Sequence, residues 1–449
     1  MRPTVRPIST TSILGLWITR RAHPAGGASW HSIDAADGIA PAGRRGTTMH
    51  PTLKPALRRG WRDLSTVQFG VAPAHALVLG PMDTATGSFL TLLDGTRGLP
   101  LLREEGKRMG LPDGHVDKLL GELSRAGLLD DSTGGGPAAD ALRKRGGPMD
   151  RLRADLASLS LVSPEPGEAI EKLAARRTIR VRVQGAGRVG AVVASVLAGA
   201  GVGHVEVLDG GHVEPWDVAP GGQSADAIGQ RRDTSARRLV RQSAPDRPPR
   251  PAPPESPSVP LRQSRQPRQP RQLGQSSPQE GGAGLSLVII APRDGLDAYA
   301  PDPTATEALL AAGTPHLYAG VIEGTGVVGP LVLPGSSACA GCLFRHRADR
   351  DPTWARMLAQ WRSGRARHVP SCDLALSTSV AGLAAGHALA FLDGVSSACA
   401  GARWEASVPG FDWHSRPVWP HPACPCGASA AVKGDRLTTD MDQHATMAG

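Results

Sequence analysis

Two pairs of cysteines carry the clearest chemistry in this sequence. Two residues separate Cys339 from Cys342, and one residue separates Cys424 from Cys426. Four thiolates in closely spaced pairs fit a tetrahedral structural zinc site. Six cysteines in 449 residues do not make a disulfide scaffold, so we expect a reducing, cytoplasmic setting. The pairs predict zinc that ties the end of the chain to the main fold; four reduced cysteines without metal are the alternative.

A second group of residues is suited to holding a nucleotide. Gly185, Gly187 and Gly190 have the spacing G-x-G-x-x-G, and Asp209 follows in "HVEVLD". The first glycine permits a tight turn, the second lets phosphate approach the backbone, and the third lets helix and strand pack closely. The next helix offers its positive N-terminus to phosphate, and an acid at position 209 can bond a ribose. A nucleotide fold that has lost its ligand is the alternative.

The elements around these glycines follow a strand, turn, helix, strand order. "IRVRV" reads as a strand before the turn, "AVVASVLAGAG" as a helix after it, and "HVEVLD" as a second strand. This order predicts an α/β, Rossmann-like domain. The motif alone leaves open whether the ligand is a nicotinamide dinucleotide or ATP.

The distribution of charged and apolar residues bears on whether the protein binds nucleic acid or crosses a membrane. The net charge is +9, but residues 1–48 carry six arginines against two acids, and residues 242–280 carry six against three. Both segments look unstructured, and the rest of the chain is nearly neutral, so we predict charged, solvated segments and no nucleic-acid partner. The apolar run at 374–392 is interrupted by Ser, Thr, Gly and His, which predicts a buried helix and no membrane span.

The predicted domain organisation has six parts. Residues 1–48 are expected to be a disordered extension, with a functional start at Met49. Residues 132–148, rich in glycine, read as a linker. Residues 149–241 and 285–430 form the nucleotide-binding domain. The Pro-, Arg- and Gln-rich segment 242–284 reads as a disordered insertion, and 431–449 as a disordered tail.

Residues 49–131 are expected to form a small α+β domain. Two short strands and three short helices resemble a winged helix, whose common use is DNA binding. The third helix, His115 to Arg125, carries only Lys118 and Arg125 against two acids. Because phosphate contacts need a basic face, peptide binding or plain packing is favoured over DNA binding.

Taken together, the motifs resemble the ThiF-type adenylyltransferases, the ubiquitin-activating-enzyme-like family. The resemblance covers about residues 175–430 and is carried by "GAGRVG", "LDGGHVEPWD", "AIGQRR", "VIIAPRD" and the cysteine pairs. It implies a mixed sheet, ATP and magnesium as cofactors, adenylation of a peptide or protein carboxylate, a structural zinc and a homodimer.

Residue by residue, the resemblance is partial. Asp209 matches the ribose-binding acid, and Asp294 matches the magnesium-binding acid and is a catalytic candidate. Asp217 stands where the family has Asn, and Arg232, also a catalytic candidate, where it has Lys. Three further departures are Gly211 for a second acid, Pro220 for the phosphate-binding Arg, and Ala291 for an acid. Losing that Arg removes charge stabilisation of the transferring phosphate; Arg231 or Arg188 are its candidate replacements.

Cys372 is the last catalytic candidate. It precedes a helix start near Asp373, which lowers a thiol pKa, so it could accept an acyl group; a small buried residue is the alternative.

Three functions follow in order of preference. The first is an ATP-dependent activator of a precursor or carrier peptide in peptide natural-product maturation, where some members of the family carry a winged-helix-like, leader-binding domain. The second is a non-catalytic leader-binding scaffold for a partner cyclodehydratase. The third is a nicotinamide-dependent oxidoreductase.

Overall fold

The computed structural model describes residues 17–21, 30–32, 49–246, 285–363 and 371–429. The expected insertion at 242–284, from residue 247 onward, and the expected tail at 431–449 lie outside these residues. The chain divides into two compact units, Met1–Arg176 and Arg177–Gly449.

The first unit is small and rich in short strands. Its strands are β1 (Trp17–Arg21), β2 (Trp30–Ser32), β3 (Pro51–Leu53), β4 (Arg59–Trp61), β5 (Val67–Phe69), β6 (Leu77–Gly80) and β7 (Leu129–Asp131). Its helices are α1 (Thr84–Phe89), α2 (Leu99–Arg108), α3 (His115–Arg125), α4 (Gly136–Arg143), α5 (Gly146–Val162) and α6 (Glu168–Ala175).

A five-stranded antiparallel sheet with the order β2-β1-β6-β5-β4 and a two-stranded sheet, β3-β7, make up the β structure of this unit. The apolar spacing of α3 places Val116, Leu119 and Leu123 in one buried cluster with Leu77 and Leu79 of β6. Asp83 begins α1 by accepting a hydrogen bond from the Thr86 amide at 2.7 Å. The core thus holds the helices on one face of the sheet.

Three sequence-based expectations fail in the first unit. Residues 132–148 are not a plain linker, because they contain α4, whose Ala139 and Leu142 are buried with Ile170 and Leu173 of α6. The same packing places α5 and α6 in the first unit, so the second unit begins at Arg177 and not at residue 149. Finally, residues 17–21 and 30–32 are strands, where we expected disorder; β1 pairs with β6, and β2 pairs with β1.

The second unit contains a seven-stranded mixed sheet. Its strands are β8 (Arg180–Gln184), β9 (His204–Leu208), β10 (Leu287–Ile290), β11 (His316–Ile322), β12 (Thr325–Val332), β13 (Ala402–Ser407) and β14 (His414–Pro417). Its helices are α7 (Arg188–Gly199), α8 (Arg232–Ser243), α9 (Leu296–Tyr299), α10 (Glu307–Ala311), α11 (Ala340–Arg350), α12 (Trp354–Ser363) and α13 (Leu374–Leu392).

The sheet order is β14-β13-β12-β11-β10-β8-β9. The four strands β9, β8, β10 and β11 are parallel, and β12 to β14 continue the sheet antiparallel. The parallel strands point their carboxyl ends to one edge, where open α/β sheets bind ligands. The α/β, Rossmann-like class with a mixed sheet is therefore confirmed.

Helix α13 is long and apolar enough to cross a membrane by composition alone. It packs on α7, β11 and β12 instead, and Leu376, Val380 and Ala384 are fully buried in the main core. The expectation of a buried core helix at 374–392 agrees with this packing.

Candidate nucleotide and metal sites

The glycine turn joins the end of β8 to the start of α7. Gly185 has φ +102°, and a Cβ built on it would lie 2.0 Å from the carbonyl oxygen of Ala291. A Cβ on Gly190 would lie 2.1 Å from the carbonyl oxygen of Gly185. Glycine is thus required at both positions, for the turn and for close packing. Gly187 is the N-cap of α7, so the helix N-terminus opens at this turn.

Asp209, directly after β9, ties its carboxylate into the turn. Its Oδ2 accepts a hydrogen bond from the Ala186 amide at 2.8 Å, and its Oδ1 accepts one from Gly211 at 2.9 Å. Arg232 Nε donates to the same Oδ1 at 2.9 Å. Burial raises the pKa of Asp209, but these hydrogen bonds outweigh it and lower the pKa below its usual 3.8. The carboxylate is therefore ionised at neutral pH.

Arg232, the first residue of α8, bridges two acids. Besides Asp209, its Nη1 donates to Asp217 Oδ2 at 3.1 Å. A Cβ built on Gly211 would lie 1.8 Å from Arg232 Nη2. The guanidinium therefore fills the space beside position 211.

Asp217 is 1% exposed and lies between two arginines. Arg293 Nε donates to its Oδ1 at 2.7 Å, and Arg293 also pairs with Glu214. Burial raises the pKa of Asp217, although Arg232 opposes this rise. Arg293 and Glu214 could not be identified from the sequence alone. Their contact forms only because the fold brings the residues after β10 beside those after β9.

Two buried polar atoms beside the turn have no hydrogen-bond partner among the described residues. One is Oε1 of Gln223, whose Nε2 donates to the Ala186 carbonyl at 3.2 Å. The other is Nε of Arg188, the first residue of α7. Gln223 could not be identified from the sequence, since it belongs to no motif of characteristic spacing. Buried polar groups normally have partners, so both atoms keep hydrogen-bonding capacity beside the turn.

Cys372 lies close to this turn and is half-buried. Its carbonyl oxygen accepts a hydrogen bond from Arg188 Nη1 at 2.5 Å. Asp373 caps α13 by accepting from the Leu376 amide at 3.0 Å. Burial raises the pKa of the Cys372 thiol, and the charge of Arg188 opposes this only in part. The thiol therefore stays protonated near neutral pH.

A cleft of about 540 Å³ lies at the carboxyl ends of β8 and β10. Gly185 lines it, so it adjoins the glycine turn, and Asp294 lines it with Asp297 and Asp302. Asp294 is exposed and accepts a hydrogen bond from the Leu296 amide at 3.0 Å. Arg362 lies 3.5 Å from Asp297 and 3.6 Å from Asp302, nitrogen to oxygen. The wall of the cleft is therefore net acidic.

The four predicted zinc ligands lie together. The Sγ–Sγ distances are 3.9 Å for Cys339–Cys342, 3.7 Å for Cys339–Cys424 and 3.6 Å for Cys342–Cys426. A tetrahedral site with Zn–S bonds of about 2.3 Å has sulfur–sulfur edges of about 3.8 Å. Cys339 and Cys342 come from the start of α11 and the other pair from the loop after β14. The donor set and its spacing fit zinc.

A second cluster braces the same loop. His421 Nε2 lies 2.8 Å from Asp349 Oδ2, and its Nδ1 accepts a hydrogen bond from the Ala423 amide at 3.1 Å. The proton of a neutral His421 therefore sits on Nε2, where it bonds the carboxylate. His346, Asp349 and His421 could also hold a metal ion, but this tautomer leaves His421 no free lone pair. The cluster fits a structural tie between α11 and the cysteine loop.

Comparison with known proteins agrees with this architecture. Residues 167–428 match the ThiF family. The sequence has no match among curated proteins.

Several solved structures share the fold. E. coli MccB with ATP has a TM-score of 0.56 at 12% identity, covering 84% of this chain and 99% of that chain. The microcin C7 biosynthetic enzyme MccB in complex with N-formylated MccA has a TM-score of 0.55 at 13% identity, with the same coverage. PaaA has a TM-score of 0.55 at 15% identity, covering 82% of this chain and 99% of that one.

Proposed function

Because this chain belongs to the ThiF family, we propose that its second unit binds ATP and magnesium and transfers AMP to the carboxylate of a peptide. One observation supports this most. The glycine turn, with Asp209 bonded to it, adjoins the acidic cleft that contains Asp294. A nucleotide on the turn would place its phosphates at the mouth of this cleft, where a carboxylate can reach them.

The turn has the properties that a nucleotide needs. No Cβ fits at Gly185 or Gly190, so the tight turn between β8 and α7 depends on glycine at both positions. We assign the phosphates to the N-terminus of α7 at Gly187, and the ribose to Asp209. The partnerless atoms of Gln223 and Arg188 give the site further polar contacts to offer.

Arg188 is our candidate for the charge that Pro220 cannot supply. Arg232 is engaged by Asp209 and Asp217, so its charge is balanced within the protein. Arg293 lies across the turn, but Asp217 and Glu214 balance its charge in the same way. Arg188 begins α7 and keeps a buried Nε without a partner among the described residues. Positive charge at this place would stabilise a transferring phosphate.

In the proposed reaction, a carboxylate oxygen attacks the α-phosphorus of ATP. A new oxygen–phosphorus bond forms, the bond to pyrophosphate breaks, and pyrophosphate takes the electron pair. Magnesium, when bound, offsets the charge of the phosphates. Asp294 is our candidate to hold it, since its carboxylate is exposed at the cleft.

We assign the peptide to the first unit as well as to the cleft. That unit has a β-meander followed by three helices, in keeping with a winged-helix-like, leader-binding region. Strand addition to a sheet edge is a common way to bind an extended peptide. The proposed setting is ribosomal peptide natural-product maturation in the cytoplasm, as a homodimer that passes its peptide to a modifying enzyme.

We further propose that the four cysteines hold a structural zinc. The fit of their sulfur spacing to a tetrahedral site supports this. Zinc would then fix the loop after β14 to α11.

The leading alternative is a leader-binding scaffold without catalysis, favoured by Pro220 and by the balanced charge of Arg232. The nicotinamide oxidoreductase has no support beyond the glycine spacing. ATP–pyrophosphate exchange separates the first two. We expect exchange with a library of peptides that carry free carboxyl termini and none with the amidated peptides. Absence of exchange with every peptide, while labelled ATP still binds, would leave the scaffold.

A further inference from the structure

The outer edge of β6 is covered by a strand from far away in the sequence. The strands β4, β5 and β6 follow one another between residues 59 and 80 and pair in that order. The edge of β6 that faces away from β5 pairs antiparallel with β1, with Trp17 opposite Gly80 and Arg20 opposite Leu77. The β6 edge therefore takes a strand that is not part of the meander.

The two edges of the meander differ. All three residues of β4, at the other end, are exposed, and β4 pairs only with β5 among the described strands. Leu77, Val78 and Leu79 of β6 are each at most 3% exposed. These values hold with β1 in place, and its pairing gives the backbone of the β6 edge strand partners. The outer edge of β4 has no strand partner among the described strands.

We propose that residues 17–21 are an intramolecular strand ligand that occupies the β6 edge where an extended peptide adds. This inference rests on the proposed function, in which the first unit binds a peptide by strand addition. An incoming peptide must then displace β1 before it can pair with Leu77–Gly80.

The chemistry of the edge defines its partner. Main-chain bonds dominate strand addition, so the partner is an extended, antiparallel peptide segment. Residues 17–21 read WITRR and contain adjacent β-branched residues, Ile18 and Thr19, which suit a strand. A competing peptide is therefore expected to carry β-branched or aromatic residues over a similar length.

When β1 occupies the β6 edge, a peptide binds more weakly. The apparent Kd equals the intrinsic Kd divided by the fraction of molecules whose edge is open. If the edge is open in about one molecule in ten, the apparent Kd rises about tenfold. A tethered strand is favoured by its high effective concentration.

Peptide binding to full-length protein tests the proposal. The variant Ile18→Pro/Thr19→Pro removes two adjacent N–H groups, one of which faces β6 in any strand register. The variant Ile18→Val/Thr19→Val keeps both groups and is the matched control. The probe is a labelled synthetic peptide, GLWITRRAH, with the sequence of residues 15–23, followed by fluorescence anisotropy without ATP.

We expect the proline variant to bind the probe about tenfold or more tightly than the wild type, and the valine control to match the wild type. Equal affinity of the proline variant and the wild type would overturn the proposal. Amide exchange at Leu77–Gly80 gives a second readout: exchange should speed up in the proline variant and slow again when the probe is added. If the probe fails to slow it, the edge does not accept strands. Because neither readout uses ATP, absence of adenylation would refute the proposed function alone.

Discussion

Arg232 occupies the space that a side chain at Gly211 would need. A Cβ built on Gly211 would lie 1.8 Å from Arg232 Nη2, while the same guanidinium bonds Asp209 and Asp217. The two departures from the family pattern at positions 211 and 232 thus belong together. The arginine at position 232 requires a glycine at position 211.

Restoring an acid at position 211 should therefore harm the protein. Gly211→Asp displaces the Arg232 guanidinium and loosens its bonds to Asp209 and Asp217. We expect a loss of about 1–3 kcal/mol in the free energy of unfolding, measured by urea denaturation. Gly210→Asp is the matched control, because nothing lies within 4 Å of a Cβ there. An equal loss in both variants would refute the relationship.

Removing the Arg232 guanidinium should lower the free energy of unfolding by more than Gly211→Asp does. Arg232→Met leaves the buried Asp217 and the half-buried Asp209 without their shared partner, and breaking a buried ion pair costs about 3–5 kcal/mol. Arg237→Ala, which removes an exposed pair with Asp233, should cost at most about 1 kcal/mol. Urea denaturation of both variants compares them. A loss for Arg232→Met as small as that for Arg237→Ala would show that the bridge contributes little.

Asp209 and Asp217 should change the free energy of unfolding in opposite directions as the pH falls. The pKa of Asp209 lies below 3.8 in the folded chain, so its contribution is present above that value and is lost as the pH falls through the folded pKa. The pKa of Asp217 is raised, so its ionisation opposes folding as the pH rises from 3.8 toward the folded value. Unfolding followed from pH 6 to about 3 should show a shallower acid loss for Asp209→Asn and a steeper one for Asp217→Asn. The reverse order would contradict the assignment.

Four parts of the site were predictable because their signal is local. Gly185 and Gly190 follow from spacing, Asp209 from its place after a strand, and the cysteine pairs from their separation. Arg293 and Gln223 were not predictable, since their role depends on contacts with residues 76 and 37 positions away in the sequence.

The fold shows the same limit. The α/β class follows from the strand–turn–helix order, and the mixed sheet is what the resemblance to the ThiF family implies. In contrast, α4 forms in a glycine-rich segment because Ala139 and Leu142 pack against α6. Packing against α6 therefore makes residues 136–143 helical, although their glycine-rich surroundings predict a linker.

Zinc should be present at one equivalent per chain. Cys342→Ser removes one of four thiolates, so we expect loss of most bound zinc and a lower melting temperature. Cys372→Ala lies outside the cluster and should keep its zinc. Metal analysis by mass spectrometry of the purified proteins measures both. A wild-type chain without zinc, purified without chelators, would refute the metal site.

The Cys372 thiol should not carry the reaction. Because burial raises its pKa, we expect slow alkylation by iodoacetamide at pH 7 and at least half of the wild-type exchange rate in Cys372→Ala. A loss of exchange of about a hundredfold or more, with unchanged ATP binding, would restore this residue as an acyl acceptor.

Isotope transfer tests the central claim most directly. A peptide that supports pyrophosphate exchange is prepared with ¹⁸O in its terminal carboxylate and incubated with the protein, ATP and magnesium. Hydroxylamine then attacks the carbonyl carbon of the adenylate and breaks its bond to the bridging oxygen, which leaves with AMP. Adenylation forms a bond between the carboxylate oxygen and the α-phosphorus, so we predict ¹⁸O in AMP. Recovery of the label in inorganic phosphate, or its absence from AMP while AMP is formed, would contradict the account.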